Sequence, residues 1–271
     1  MSGNDASFVG SIPQYYDQGL GPMIFVDYAE EMARRVAAAK PARVLETAAG
    51  TGIVTRRLRD RLDAKAALTA TDLNPPMLEI AQAKFRAGEA VVFQSADATA
   101  LPFPDSSFDA VVCQFGIMFF PDKAKSFREV HRVLAPGGRY FFSVWDSHAR
   151  NPFGRIAHEV VGRFFPVDPP QFYTVPFSCH QIEPVKAWAA DAGFTEIEVS
   201  AVPLEKVIPD SAGFARAMVY GNPLSDQIRA RGGVDPEAVV AAIQQELRKA
   251  FGADPGCMPI QTILFSALKP A

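Results

Sequence analysis

The sequence is poor in several features that would have placed it quickly. It has only three cysteines in 271 residues, Cys113, Cys179 and Cys257, with no paired spacing. That excludes a disulfide framework and a zinc motif of the paired-cysteine kind, so no metal is expected. No apolar stretch reaches the roughly 18 residues that a membrane-spanning helix needs, so no membrane span is expected. The opening MSGNDASFVGS lacks the basic start and apolar core of a signal peptide, which points to the cytoplasm. Basic runs are missing as well. The chain has 27 Lys and Arg against 30 Asp and Glu, a net charge of −3. A nucleic-acid surface is therefore not expected. The one basic cluster, Arg56, Arg57, Arg59 and Arg61, alternates around a helix and reads as a solvated face. With no repeat, low-complexity tract or long linker, residues 1–271 are expected to form one domain.

What the chain does contain is 48% hydrophobic residues, enough for a large core. From Ala42 to about Asp146, short apolar runs alternate with helical periodicity. ARVLETA, ALTATD, AVVFQSAD, FDAVVCQF and GRYFFSVW read as strands bounded by turn residues. After the second run, Asn74 is expected to cap a helix whose first turn holds Pro75 and whose apolar face carries Met77, Leu78, Ala81 and Phe85. Phe127, Val130, Val133 and Leu134 mark another helix, stopped by Pro136-Gly137-Gly138. This alternation specifies a parallel sheet with helices on both faces. Upstream, Phe25, Tyr28, Met32 and Val36 mark an amphipathic helix ending before Pro41. Downstream come a helix at 153–165, a proline-rich loop and a helix through Val185 and Trp188. FTEIEVSAVPLEKVI then reads as a strand, 211–231 as helical pieces, Asp235–Gly252 as a helix and PIQTILFSALK as the last strand.

The stretch VLETAAGTGIVT places small residues in a strand-to-helix turn, which lets a ligand approach the backbone closely. Gly50, Gly52 and then Thr55 make an incomplete dinucleotide fingerprint, because the third glycine is missing. Asp72 ends the next strand, 20 residues past Gly52, where a carboxylate can accept ribose hydroxyls. By itself that indicates an adenosine-containing ligand and no more.

The stretch E-T-A-A-G-T-G resembles the cofactor loop E/D-x-G-x-G-x-G of class I S-adenosylmethionine-dependent methyltransferases, with Ala48 at the first glycine. SADATALPFPDSSFDAVVCQFGIMFFPD and REVHRVLAPGGRYFFSVW resemble further stretches of that family, in particular its ubiquinone/menaquinone-biosynthesis-like small-molecule members. The resemblance covers residues 12–148 strongly and the remainder loosely. It implies an α/β, Rossmann-like, doubly wound seven-stranded sheet. This would be mostly parallel with an antiparallel last strand, plus helical N-terminal and insert segments. It divides the chain into a flap and helix (12–40), a cofactor-binding core (42–148) and acceptor-side helices with the last two strands (149–271).

The resemblance further implies that S-adenosyl-L-methionine is the cofactor. The binding set it implies is Tyr16, Glu46, Ala48, Gly50, Thr51, Gly52, Asp72, Leu73, Met77, Asp97, Ala98, Gln114 and Phe115. Within it Asp97 is expected to recognise the adenine amino group and Glu46 to sit near the cationic methionine end. In the N-terminal flap, Tyr15, Tyr16 and Phe25 are placed to close the site. The expected reaction is in-line methyl transfer to a small, apolar or aromatic acceptor. The phenylalanines between Phe164 and Phe177 are candidates for its channel, and Met218, Tyr220 and the Gly221-Asn222-Pro223 turn for its lining. No catalytic residue is assigned. His148 and His180 are the histidines placed to reach the cleft, whereas His131 is expected to be exposed. The two rival readings are a nicotinamide-dependent oxidoreductase and a non-catalytic module that binds the same cofactor. A monomer and a homodimer are both compatible with the sequence.

Overall fold

The computed structural model describes residues 5–271. Its strands are β1 (Arg43–Glu46), β2 (Ala67–Asp72), β3 (Val91–Ser95), β4 (Phe108–Gln114), β5 (Leu134–Trp145), β6 (Thr195–Ile208) and β7 (Gly256–Leu268). They form a seven-stranded sheet in the order β3-β2-β1-β4-β5-β7-β6. All pairings among the first five strands are parallel, and β7 runs antiparallel to β5 and β6. The expected Rossmann-like sheet, with one antiparallel strand, is therefore present. Parallel strands covered on both faces need continuous apolar runs. Accordingly Val111, Val112 and Cys113 of β4 and Val44 and Leu45 of β1 are fully buried.

The helices are α1 (Ile12–Tyr15), α2 (Val26–Ala38), α3 (Ile53–Arg61), α4 (Pro75–Gln82), α5 (Lys123–Val133), α6 (Pro152–Phe164), α7 (Ile182–Asp191), α8 (Ser211–Tyr220), α9 (Leu224–Arg231) and α10 (Pro236–Phe251). Helix α2 buries Tyr28, Ala29, Met32, Ala33 and Val36, the i, i+4 stripe that the sequence shows. Asp122, Asp210 and Asp235 cap α5, α8 and α10 through their carboxylates. Among the described residues no helix is long and apolar enough to cross a membrane.

Three local expectations need correction. The glycine-rich segment before α2 is helical, with π geometry from Tyr16 to Phe25 around Pro22. A proline inside a helix lacks the N–H for the usual ladder, and a widened turn absorbs the defect. Gly19 there serves close packing, since a Cβ on it would lie 2.3 Å from the Ala217 Cβ of α8. Arg59 is not part of a solvated face. It is 8% exposed, and its guanidinium donates to the carbonyls of Leu62, Asp63, Ala66 and Ala90, fastening the end of α3. His131 is half-buried, edge-on against Phe194 at 5.1 Å.

The chain leaves β1 toward β2 and β3 on one side, then returns to place β4 on the other. At such a reversal the loops diverge, opening a crevice at the carboxyl ends of β1 and β4. That is where the site lies.

Candidate active site

A cavity of about 440 Å³ opens at this reversal. One end is polar. Glu46 ends β1, and the chain turns through left-handed backbone at Ala48 (φ 52°), Gly50 (φ 55°) and Gly52 (φ 76°) before α3 begins. Asp72, at the end of β2, fixes this turn: its carboxylate accepts the Gly50 N–H and the Asn74 N–H, each at 2.8 Å. Oδ1 also accepts from the Asn74 side-chain amide at 3.3 Å, so of the roughly four lone-pair positions of the carboxylate the open one is on Oδ2, where a ligand hydroxyl can donate. Burial raises the Asp72 carboxyl above the ordinary carboxylate range. Beyond β3, Asp97 accepts from the Thr99 N–H and hydroxyl through one oxygen, leaving the other open.

The positions expected from sequence converge well. Tyr16, Ala48, Gly50, Asp72, Leu73, Met77, Asp97, Ala98, Gln114 and Phe115 line this cavity. Glu46 and Thr51 line a smaller chamber of about 30 Å³ beside it, which shares Tyr16, Ala48, Gly50, Gln114 and Phe115 with the larger one. Gly52 lines neither. A Cβ there would lie 2.8 Å from the Ala81 Cβ, so this glycine lets α3 pack on α4. Asn74 stands at the cap of α4 but makes no capping bond. Its amide holds the N-terminal segment instead, accepting from the Phe8 N–H at 3.1 Å and donating to the Ala6 carbonyl at 3.0 Å.

The other end of the cavity is aromatic, lined by Phe119, Phe120, Trp145, Phe153, Phe172 and Phe177. Phe115, itself in left-handed backbone at φ 55°, stacks on Trp145 with ring centroids 4.1 Å apart and planes 10° apart. Of the phenylalanines flagged in the proline-rich loop, Phe172 and Phe177 reach the cavity, whereas Phe164 and Phe165 do not. Of the α8–α9 junction only Asn222 does. Met218 is core, and Tyr220 faces away to donate to Glu237 at 2.6 Å. Tyr15 likewise faces Tyr220, while Tyr16 stacks on Phe25 at the cavity wall.

Neither candidate histidine enters the cavity. His148 Nε2–H donates to the Tyr173 carbonyl at 3.1 Å and His180 Nδ1–H to the Phe177 carbonyl at 2.8 Å. Both hold the loop that walls the aromatic end. Sequence reasoning missed Phe8, Gly116 and Trp145. Trp145 had a signal, since it ends a strand that points at the crevice. Gly116 had little signal, because its need appears only in space: a Cβ there would lie 2.5 Å from the Ala48 Cβ and 2.7 Å from the Cys113 Sγ.

The residues at the polar end suit S-adenosylmethionine. Glu46 Oε2, Thr51 Oγ1 and Gln114 Oε1 are buried without a partner among the described residues, and all three belong to residues lining the small chamber. Burial, reinforced by the negative charge of Asp72, pushes the Glu46 carboxyl up to about 8. An unpaired buried acceptor is costly, and a cationic group satisfies it. Helix α3 starts from Gly52 with no side-chain cap, leaving its positive end for a carboxylate. Among the described residues no cluster of three or more potential metal ligands is present.

Comparison with known proteins agrees with this geometry. Residues 45–142 match the family model described as the methyltransferase domain. Over those residues the chain is similar to a methyltransferase domain. Over 127 residues, 46% of this chain and 57% of the relative, it is 42% identical to the demethylmenaquinone methyltransferase of Thermus thermophilus. The chain thus spans about half the length of the curated relatives it matches. Among solved structures it is similar to the YcgJ protein of Bacillus subtilis, with a TM-score of 0.59 and 21% identity over 90% of this chain and 99% of that one. A phosphoethanolamine N-methyltransferase of Haemonchus contortus, solved with S-adenosylhomocysteine, gives a TM-score of 0.53 and 18% identity over 97% of this chain and 61% of that one. These two likenesses show the fold.

Proposed function

We propose that this protein transfers the methyl group of S-adenosylmethionine to a small, apolar or aromatic acceptor by in-line displacement. The observation that carries the reading is the continuity of the cavity. A single space joins the Gly50–Asp72–Asp97 end to the Phe119–Trp145–Phe172–Phe177 end. When bound, the cofactor supplies a methyl group made electrophilic by its sulfonium. Asp72 and Asp97 would hold the adenosine, Glu46 and Gln114 would offer acceptors to the cationic end, and the α3 terminus would favour the carboxylate. The aromatic end excludes water and orients the acceptor, and such positioning can contribute roughly 7–11 kcal/mol.

Among the described residues neither His148 nor His180 lines the aromatic end, and we assign no general base. The relatives' names point to a quinone-type ring as the acceptor class, and the flat aromatic walls suit one. The loop and helices enclosing that end lie at 149–271, outside the family-matched residues, and we assign the choice of acceptor to them. The nicotinamide reading is disfavoured by Thr55 at the third glycine position.

Two measurements test the proposal. Isothermal titration is expected to show micromolar binding of S-adenosylhomocysteine and none of NAD. Incubation with labelled cofactor and a metabolite extract, followed by mass spectrometry, is expected to yield a methylated product. Binding of NAD without binding of S-adenosylhomocysteine would overturn the reading. Cofactor binding with no methylated product from any extract would favour a non-catalytic module.

A further inference from the structure

The aromatic end of the cavity has one polar corner. Tyr173 and Asn222 both line it, and both lie outside the family-matched residues 45–142. The Tyr173 hydroxyl donates its proton to the Met218 carbonyl at 2.8 Å. Asn222 Nδ2 donates to the same carbonyl at 2.9 Å and toward the Tyr173 hydroxyl oxygen at 3.4 Å. Asn222 Oδ1 accepts the Leu224 N–H at 2.9 Å. Counting donors decides what this corner can take. A phenol has one proton to give, and an amide nitrogen has two. All three are directed at protein oxygens, whereas the Tyr173 and Asn222 oxygens each keep an unused lone pair. The corner can accept a hydrogen bond and has none to give.

Nor can the corner easily rearrange. The Tyr173 carbonyl is held by His148, and the neighbouring Phe172 N–H donates to Gln227 Oε1 at 3.1 Å. Turning either side chain to expose a proton would give up one of the two hydrogen bonds that the buried Met218 carbonyl accepts.

We propose that Tyr173 and Asn222 determine acceptor specificity: they accept a hydrogen bond from a hydroxyl or N–H on an otherwise apolar ring, and discriminate against the same ring bearing an ether or carbonyl there. The inference rests on reading the aromatic end as the acceptor site. Apolar walls alone separate such analogues weakly. A site with a buried polar partner rejects an analogue that cannot pair with it.

The test compares 4-propylphenol with 4-propylanisole by ligand-observed NMR titration of the full chain, with and without S-adenosylhomocysteine. The phenol is expected to bind about tenfold more tightly, as a buried hydrogen bond of ordinary strength gives. That ratio should fall toward one in Tyr173→Phe. It should also fall in Asn222→Ser, which keeps a side-chain oxygen for the Leu224 N–H and so preserves the turn. Equal affinities in the unaltered protein, failure of both probes to bind, or an unchanged ratio in a folded variant would each overturn the proposal. A chain that prefers the phenol but does not bind S-adenosylhomocysteine refutes the methyl-transfer reading and leaves standing only the hydrogen-bond recognition by Tyr173 and Asn222. The reverse result refutes only the inference.

Discussion

Two connections leave the carboxyl edge of the sheet and wall opposite ends of one cavity, residues 47–52 after β1 and residues 146–180, which include α6, after β5. The first takes its shape from backbone angles at Ala48, Gly50 and Gly52 and from one carboxylate, Asp72, 22 residues past Gly50. The second is held by bonds of longer reach: His148 to Tyr173 across 25 residues, Tyr173 to Met218 across 45 and Phe172 to Gln227 across 55. A loop shaped by its own dihedrals leaves a spacing pattern in the sequence. A loop shaped by distant partners leaves none, and its residues can vary whenever the partners vary with them. The cavity thus combines a polar end fixed by local rules with an aromatic end fixed by tertiary structure.

The largest expected effect falls on the locally built end. Asp72→Asn exchanges a two-oxygen acceptor for an amide with one, at a residue that also fixes the Gly50 N–H. Hydrogen bonds to charged groups contribute about 1.5–3 kcal/mol, so the dissociation constant of S-adenosylhomocysteine is expected to rise roughly 10- to 150-fold by calorimetry. Because the same carboxylate bonds to the loop, the melting temperature should fall too. An unchanged constant would mean that Asp72 shapes the loop without holding the ligand.

Gly154→Ala asks whether the two ends are independent. A Cβ at Gly154 would lie 2.4 Å from the Phe177 ring, so that ring must shift at the aromatic wall. Overpacking of this kind costs about 1–3 kcal/mol. Affinity for 4-propylphenol is expected to drop roughly tenfold, the lower part of that range. Affinity for S-adenosylhomocysteine should stay within about threefold, as for a site with no shared partner. Equal losses for both ligands would show that the ends act as one unit.

Glu46→Gln probes the charge at the cofactor end. With its carboxyl pushed from the ordinary 4.5 up to about 8 by burial, Glu46 is protonated in the empty folded protein at neutral pH and ionised in the unfolded chain. Between those values the unfolded state binds fewer protons, so this group lowers stability as pH rises through the window. Thermal melts from pH 5 to 9 should show wild type losing stability relative to Glu46→Gln. A ligand ammonium favours the ionised form, so S-adenosylhomocysteine binding to wild type should strengthen toward pH 8. The variant should lack that slope, and parallel pH profiles would remove Glu46 from the cationic subsite.

The same contrast explains what the sequence made legible. All seven strands were readable: β1 and β4 because parallel strands buried on both faces need unbroken apolar runs, the others from short runs of β-formers bounded by turn residues. So was most of the polar end, where the E-T-A-A-G-T-G spacing, Asp72 and Asp97 follow strand ends. Gly52 lines neither chamber, and a glycine needed for helix packing at Ala81 looks, in sequence, like one needed for a ligand. The π-helical segment was hidden by Gly19, Gly21 and Pro22, whose composition suggests a flexible flap. At the aromatic end, Phe172 and Phe177 were flagged by composition, and Asn222 by its place in a turn of the segment between the last two strands. The histidines acquired their role only when the structure showed the carbonyls they hold.

The smallest expected effect is the most specific to the locally built loop. Ala48 stands where the related motif has glycine, yet its backbone is left-handed at φ 52°. That conformation costs an L-residue roughly 1–2 kcal/mol. Replacing alanine by glycine relieves the strain but adds freedom to the unfolded chain, which offsets about 0.4–1 kcal/mol. Ala48→Gly is therefore expected to stabilise the protein by up to about 1 kcal/mol, which raises the melting temperature by roughly 2–4 °C in a chain of this size. Affinity for S-adenosylhomocysteine should stay within about twofold, because glycine keeps the backbone angles that aim the loop. Glu196, left-handed at φ 45° at the start of β6, is a control in the other part of the chain. Glu196→Gly should give a similar gain in stability with no change at the cofactor end. A fall in melting temperature for Ala48→Gly would show that the Ala48 methyl, packed over Gly116, contributes more than the strained backbone costs.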